Sequence, residues 1–268
     1  MVVSGRNRCE QVKNSLSAEA IGGAFADATE APGWIEAGRE SAMVDFARRR
    51  LTMVETQLRP NQVTDARLIA AMSALPRERF VPERLRGFAY IDEALEVFPA
   101  IDAAPPRFLL APMVLARLVQ LAAVEQSDAV LDVGCATGYS TALLARLGRD
   151  VTGIEPEPEL AEAAHANLRA LELGNVEIVE GALARGCPEK APYDVILLNG
   201  SVPGEPASLF AQLKEGGRLA AILSRPGPEA QGKATLFVKA EGEVSGLPHF
   251  DAGAAPLPGF FRESSFSF

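Results

Sequence analysis

Short apolar runs alternate with longer segments of helical spacing along the second half of the chain. An apolar run bounded by turn residues predicts a buried strand, and apolar residues recurring about every 3.6 positions predict an amphipathic helix. The first such helix begins at Pro112 and has Leu115, Leu118, Val119 and Ala122 on one face. The predicted strands are 129–133, 151–154, 176–179, 194–198 and 217–223, and the predicted helices between them are about 140–147, 158–171 and 206–213.

This alternation is typical of an α/β fold, in which a mostly parallel sheet carries helices on both faces. Two further strand candidates, 234–239 and 243–247, predict an antiparallel edge. The tail that follows contains Phe260, Phe261, Phe266 and Phe268, which we expect to pack back on the domain.

The first half of the chain has a different pattern. Residues 1–42 show weak periodicity, and we expect them to be loosely ordered or to come from an upstream start codon. Residues 45–58 have helical spacing, and Thr64-Asp65 is an N-cap signal for a second helix that ends at Pro76. A connector follows, with a break at Pro105-Pro106.

Residues 130–138 carry the main chemical signal. They read Val-Leu-Asp-Val-Gly-Cys-Ala-Thr-Gly, a buried strand followed by a glycine turn, and the next strand ends at Glu155. Glycine lets the backbone approach a ligand closely, and a carboxylate at the next strand tip can accept two hydrogen bonds from a ribose diol. This arrangement predicts a nucleoside site. The alternatives are an ordinary turn and, for Glu155, a surface acid beside Pro156.

Composition narrows the class of protein. The 268 residues are 48% hydrophobic, which is enough for one large α/β core, and the net charge of −9 disfavours nucleic acid as a partner. No apolar stretch is long enough to cross a bilayer and no apolar signal core begins the chain, so we expect a cytoplasmic protein without a membrane partner. The cysteines lack metal-ligand spacing and the two histidines form no recognisable triad, so neither a metal nor Ser-His hydrolysis is expected.

The spacing of the glycine loop distinguishes between two kinds of nucleoside-binding fold. Its spacing, Asp132-x-Gly134-x-Ala136-x-Gly138, does not fit the dinucleotide pattern. It resembles motif I of the class I S-adenosylmethionine methyltransferases, which has glycine at the position of Ala136. We expect a negative φ at Ala136, which an alanine would tolerate.

A series of motifs in the first half sharpens the resemblance. The whole series resembles the protein-L-isoaspartate O-methyltransferase family over roughly residues 43–223. In chain order its members are Met53-Val54, Gln57-Leu58, Asp65, Pro76-Arg77, Phe80-Val81-Pro82, Ala89-Tyr90, Asp92, Pro112-Met113-Val114, Ala191-Pro192-Tyr193-Asp194, Gln212-Leu213 and Gly216-Gly217-Arg218-Leu219.

The resemblance implies a Rossmann-like methyltransferase with a seven-stranded sheet. Residues 43–111 would form an N-terminal helical extension and substrate-side connector, and 112–268 the S-adenosylmethionine-binding domain. It implies S-adenosylmethionine as donor and the isoaspartyl carboxylate of a protein or peptide as substrate, with no metal. The methyl ester closes to a succinimide that can reopen as aspartate. We expect a monomer.

The resemblance also implies the site residues. Asn199 would lie where substrate and donor meet, and Tyr139 would either stack near the donor or pack at the helix start. Cys135 is expected to be an apolar filler and not a nucleophile. The predicted donor-binding set is Asp132, Gly134, Cys135, Ala136, Thr137, Gly138, Tyr139, Glu155, Pro156, Gly181, Ala182, Leu183 and Asn199.

Two positions depart from the family pattern. Leu110 stands where the family has a serine thought to position the substrate carboxylate, and leucine cannot donate a hydrogen bond. Ala182 stands where the family has an aspartate near the adenine. Arginines cluster in the N-terminal elements, and Arg59 or Arg107 could anchor an acidic peptide, although solvated helix faces are the alternative.

Three functions therefore stay open on the sequence alone. The first is a protein carboxyl methyltransferase like the family. The second is a methyltransferase of the same fold with a different acceptor, because Leu110 makes the pocket more apolar. The third is a donor-binding or inactive module, because Leu110 and Ala182 both remove polar contacts.

Overall fold

The computed structural model describes residues 46–101, 105–224 and 232–260. The predicted loose order of 1–42 and the positions of Phe261, Phe266 and Phe268 lie outside these ranges. Phe260 packs against the core, as expected of the tail.

A seven-stranded mixed sheet forms the centre of the molecule, in the order β5-β4-β3-β6-β7-β8-β9. β3 pairs in parallel with β4 and β6, and the last two strands are antiparallel. This confirms the predicted Rossmann-like sheet with an antiparallel edge. The strands are β3 (Ala129–Val133), β4 (Asp150–Glu155), β5 (Val176–Glu180), β6 (Tyr193–Val202), β7 (Leu213–Leu223), β8 (Gly232–Ala240) and β9 (Glu243–Ala252).

Helices connect the parallel strands. One helix precedes the sheet, and two more follow β3 and β4 as predicted. The predicted helix 206–213 is shorter, because the chain enters β7 at Leu213, which pairs with Tyr193. The helix bounds are α1 (46–53, continued by a π-helical turn Val54–Leu58), α2 (Ala66–Ala74), α3 (Pro112–Ala122), α4 (Tyr139–Ala145), α5 (Pro158–Ala170) and α6 (Ala207–Phe210).

The N-terminal elements share one apolar core with the sheet. Met53 and Leu58 of the first helix and Leu68 and Met72 of α2 are buried in the same cluster as Leu118 of α3. The proposed boundary at residue 111 stays a prediction.

A separate two-stranded antiparallel sheet precedes α3 in the chain. It consists of β1 (Leu95–Phe98) and β2 (Arg107–Leu109), where the sequence predicted only a connector. β2 leads directly into α3, so it brings residues 107–110 to the carboxyl end of the sheet.

Candidate functional site

The glycine loop connects β3 to α4 and has left-handed backbone at three positions. The φ angles are 78° at Gly134, 49° at Ala136 and 91° at Gly138. The expectation of a negative φ at Ala136 was wrong. The loop must bend here so that α4 can begin at Tyr139, and an L-residue in this region costs about 1–2 kcal/mol.

Asp132 is a buried hydrogen-bond centre beneath this loop. Its carboxylate accepts from Ser140 Oγ at 2.8 Å, from Thr141 Oγ1 at 2.7 Å and from Asn199 Nδ2. Burial raises the pKa of Asp132, and the donors on Thr141, Ser140 and Asn199 act against that rise. Asn199, which lies inside β6 and not after it, is therefore held by an acid of β3.

Glu155 ends β4 and is fully buried, which excludes the alternative of a surface acid. Its Oε2 accepts the Ala136 N–H at 2.8 Å, and its Oε1 forms an ion pair with Arg107 Nη1. Burial raises the pKa of Glu155, and the Arg107 charge and the Ala136 amide oppose this. The carboxylate is thus tied both to the glycine loop and to the β1–β2 hairpin.

Arg107 departs from its predicted environment. The sequence offered it as an anchor for an acidic peptide or as a solvated arginine, but its side chain is only 3% exposed. Its guanidinium is committed to Glu155, because the hairpin directs residue 107 inward over the loop. Arg59, the other candidate anchor, lies in an exposed ion pair with Glu55.

The side chain of Leu257, in the tail that follows β9, covers the same loop. Its amide donates to Ser201 O at 2.9 Å, which fixes the tail along the end of β6. A Cβ placed on Gly134 would lie 2.8 Å from Leu257 Cδ2 and 3.1 Å from Arg107 Nη2. The loop glycine is therefore overlaid by these two side chains.

A small cavity of about 10 Å³ lies beside the loop. This volume is about enough for one water molecule. The structure brings the predicted site residues Leu110 and Asn199 together here with Cys135, Ala136 and Tyr139. Burial raises the pKa of Cys135 well above its ordinary value, which agrees with a filler.

Arg77 also lines this cavity. It is one of the clustered N-terminal arginines, for which anchoring an acidic peptide and solvated helix faces were the two alternatives. It is fully buried, and it donates to Ala89 O and Leu110 O at 2.8 Å each. Its Nη1 and the Tyr139 hydroxyl have no hydrogen-bond partner among the described residues. The Pro76-Arg77-x-x-Phe80 motif was the available signal, but burial of the arginine could not be predicted from it.

The remaining predicted positions surround the loop. Thr137 Oγ1 donates to Phe80 O at 2.6 Å, and Tyr139 packs edge-on against the Phe80 ring at 5.3 Å. Gly181 donates its N–H to Glu155 O at 3.1 Å. Pro156 is half-buried, Leu183 is buried and Ala182 is exposed. Whether any of these contacts a ligand stays a prediction.

The sheet order, the glycine loop after β3 and the acid at the end of β4 define a Rossmann-like methyltransferase. The model of the protein-L-isoaspartate(D-aspartate) O-methyltransferase family matches residues 49–247. The chain belongs to this family, whose methyl donor is S-adenosylmethionine.

Individual relatives agree with the family model. A Koribacter versatilis protein-L-isoaspartate O-methyltransferase is 37% identical over 219 residues, which is 81% of this chain and 94% of the relative. An Aeropyrum pernix protein-L-isoaspartate O-methyltransferase is 38% identical over 185 residues, covering 68% of this chain and 69% of the relative.

Solved structures show the same fold. A protein-L-isoaspartate O-methyltransferase superposes with a TM-score of 0.67 at 27% identity, covering 78% of this chain and 66% of the other. A Plasmodium falciparum protein assigned the same activity, solved with S-adenosyl-L-homocysteine, gives 0.65 at 18% identity, with 78% and 97% covered.

Two absences concern only the residues that the structure describes. None of their helices is long and apolar enough to span a membrane. They also contain no group of three or more histidine, cysteine, aspartate or glutamate side chains placed to hold a metal ion.

The residue types of the site suit S-adenosylmethionine, but the cavity beside the loop is too small to hold it. The glycine loop and Glu155 match the chemistry of a nucleoside site. Small-molecule sites usually need about 300–1,000 Å³, whereas the cavity here is about 10 Å³. Arg107 and Leu257 fill the region over Gly134, so the loop is closed at this glycine.

Proposed function

We propose that this chain is an S-adenosylmethionine-dependent protein carboxyl methyltransferase that acts on isoaspartyl residues, as its relatives are named. The family match over residues 49–247 carries the proposal. It is supported by the geometry at the carboxyl ends of β3 and β4, where the Ala136 amide of the glycine loop donates a hydrogen bond to Glu155.

The chemistry asks for alignment more than for acid-base groups. A carboxylate is already ionised at neutral pH, so it needs no general base. S-adenosylmethionine, when bound, supplies an activated methyl group. The protein must position the acceptor oxygen and exclude water, and the buried loop of this chain suits both tasks.

For the acceptor carboxylate, we propose Arg77 Nη1 and the Tyr139 hydroxyl as donors in place of the missing serine. Both are buried beside Leu110, where the Arg77 guanidinium lies 4.8 Å from the centre of the Tyr139 ring. Apart from this mutual contact, neither Nη1 nor the hydroxyl has a hydrogen-bond partner among the described residues. Buried polar groups are normally hydrogen-bonded, and a buried cation is normally paired. A carboxylate entering here would satisfy both groups.

The direct test is methyl transfer from labelled donor to an isoaspartyl peptide, with the aspartyl peptide of the same sequence as control. We expect a base-labile methyl ester on the isoaspartyl peptide only. No ester at high enzyme concentration would contradict the proposed acceptor.

Two alternatives each have an observation behind them. The apolar Leu110 favours a methyltransferase with another acceptor, which donor-dependent labelling of cell extract would reveal. The closed loop favours a module with little or no turnover. Normal donor binding without ester on any acceptor would support that second alternative.

We further propose a cytoplasmic monomer that acts on protein or peptide substrates and binds neither nucleic acid nor membrane. The net charge of −9 supports the exclusion of nucleic acid. Light scattering would test the monomer, and a dimer at micromolar concentration would contradict it.

A further inference from the structure

Arg107 forms a buried ion pair with Glu155, the proposed ribose-binding acid. The pair is almost fully buried, with side-chain exposures of 3% for Arg107 and 0% for Glu155. A buried ion pair is weak support for stability, because desolvation offsets much of the attraction. Its position on the acid of the nucleoside site therefore calls for a functional explanation.

The hydrogen bonds of Glu155 leave little capacity for a ribose. Oε1 faces Arg107 Nη1 and also lies 3.4 Å from the Glu157 amide, while Oε2 accepts from the Ala136 amide at 2.8 Å. An ionised carboxylate offers about four acceptor positions. Three of these are occupied, so a diol that needs two must displace at least one donor, and Arg107 is the one side chain among them.

Space gives a second, independent indication. Arg107 Nη2 lies 3.1 Å from where a Cβ would stand on Gly134, a residue whose missing side chain would otherwise leave room for a ligand. Leu257, held through its backbone to Ser201, covers the same glycine. In the closed state, Gly134 is thus covered by one polar side chain, Arg107 of β2, and by one apolar side chain, Leu257 of the tail.

We infer that Arg107 sets the donor affinity of this chain by competing with the donor's ribose for Glu155. The inference rests on the proposed function, because it takes Glu155 as the ribose acid. When only a fraction of molecules is open, the apparent affinity falls by that fraction. A donor binds this chain by displacing Arg107 from the carboxylate, and Leu257 must also leave Gly134.

The test measures binding of S-adenosylhomocysteine, which cannot turn over, by calorimetry with the full chain. Arg107→Gln should bind about ten- to a hundredfold more tightly than the wild type, which is the usual worth of one charged hydrogen bond. Arg146→Gln, which changes an exposed arginine at the end of α4, should bind like the wild type.

Two further variants keep the test decisive if Arg107→Gln folds poorly. Arg107→Lys keeps the charge but loses the planar fork, and it should bind with intermediate affinity. Leu257→Ala opens the other side of the same space and should also bind more tightly than the wild type. Glu155→Gln should bind more weakly than Arg107→Gln.

The outcomes separate this inference from the proposed function. If Arg107→Gln and Arg107→Lys bind as the wild type does, or more weakly, the inference is overturned while methyl transfer to isoaspartyl peptide can still support the function. If no variant binds S-adenosylhomocysteine and no ester forms, both fail. Tighter binding without ester upholds the inference and overturns only the acceptor.

Discussion

Gly134 combines a positive φ with the closest packing in the loop. An alanine there would be strained at φ 78° and its Cβ would stand 2.8 Å from Leu257. Backbone strain costs about 1–2 kcal/mol and overpacking about 1–3 kcal/mol. We expect Gly134→Ala to lower the free energy of unfolding by about 2–5 kcal/mol, measured by urea denaturation.

Gly174→Ala is the matched control, since nothing lies within 4 Å of its Cβ position. Its free energy of unfolding should change by less than about 1 kcal/mol. A loss in Gly134→Ala of only about 1–2 kcal/mol, the backbone strain alone, would show that the space over Gly134 is not filled.

Tyr139 tests the proposed acceptor site. Burial raises the pKa of its hydroxyl, opposed by the charge of Arg77, so the group is a neutral donor at pH 7. Because the hydroxyl has no hydrogen-bond partner in the described residues beyond its contact with Arg77, Tyr139→Phe should change the free energy of unfolding by less than about 1 kcal/mol and should raise KM for an isoaspartyl peptide about tenfold. Steady-state kinetics and urea denaturation would measure the two effects.

Tyr193→Phe is the control variant, for which we expect an effect on stability and none on KM. Its hydroxyl donates to Cys187 O at 2.9 Å in the interior, so the variant should lose about 1 kcal/mol of stability and keep its KM. A KM unchanged in Tyr139→Phe would remove Tyr139 from the acceptor site.

At the scale of the element, α2 is fixed by its cap. Asp65 accepts from the Arg67 amide at 2.8 Å and the Leu68 amide at 3.3 Å. Burial opposes ionisation of Asp65, but the Arg67 and Leu68 amides and the Arg67 side chain outweigh it and lower the pKa. Asp65→Ala should therefore cost about 1 kcal/mol of unfolding free energy at pH 7.

The lowered pKa fixes the pH dependence of this cost. A carboxylate whose pKa is lower in the folded state stabilises it above its ordinary pKa of 3.8 and loses that contribution as pH falls through the folded value. The difference between wild type and Asp65→Ala should shrink below that pH in urea titrations. A difference that grows on acidification would contradict the cap assignment.

At the scale of the whole molecule, the closed loop should protect the interior from reagents. Cys135 is 1% exposed and lines the cavity, and burial raises its thiol pKa well above the ordinary value. In a Cys9→Ser, Cys187→Ser background, a thiol reagent should label Cys135 at least about 1,000-fold more slowly in the native than in the unfolded protein.

The labelling rate is measured, with and without denaturant, from the absorbance of the chromophore that the thiol reagent releases. Arg107→Gln in the same background should label faster, because the cavity opens more often. Native labelling as fast as in the unfolded chain would mean that the site is open in solution.

The sequence by itself determined the elements with strong local signals. The apolar runs of β3, β4 and β6, the Thr64-Asp65 cap of α2 and the Pro112 start of α3 were all predicted, because spacing and capping act between neighbours in the chain. The β1–β2 hairpin was not predicted because its strands, Leu95–Phe98 and Arg107–Leu109, have only four and three residues.

Only the tertiary structure decided what those elements do to one another. Arg107 and Glu155 are 48 positions apart, and no local pattern indicates that a hairpin arginine will neutralise a strand-tip acid. The same holds for Arg77 beside Leu110 and for Leu257 over Gly134. Motifs specify which groups a site contains, but packing between distant segments decides whether the site is open, because exclusion of a ligand depends on space and paired charge in three dimensions.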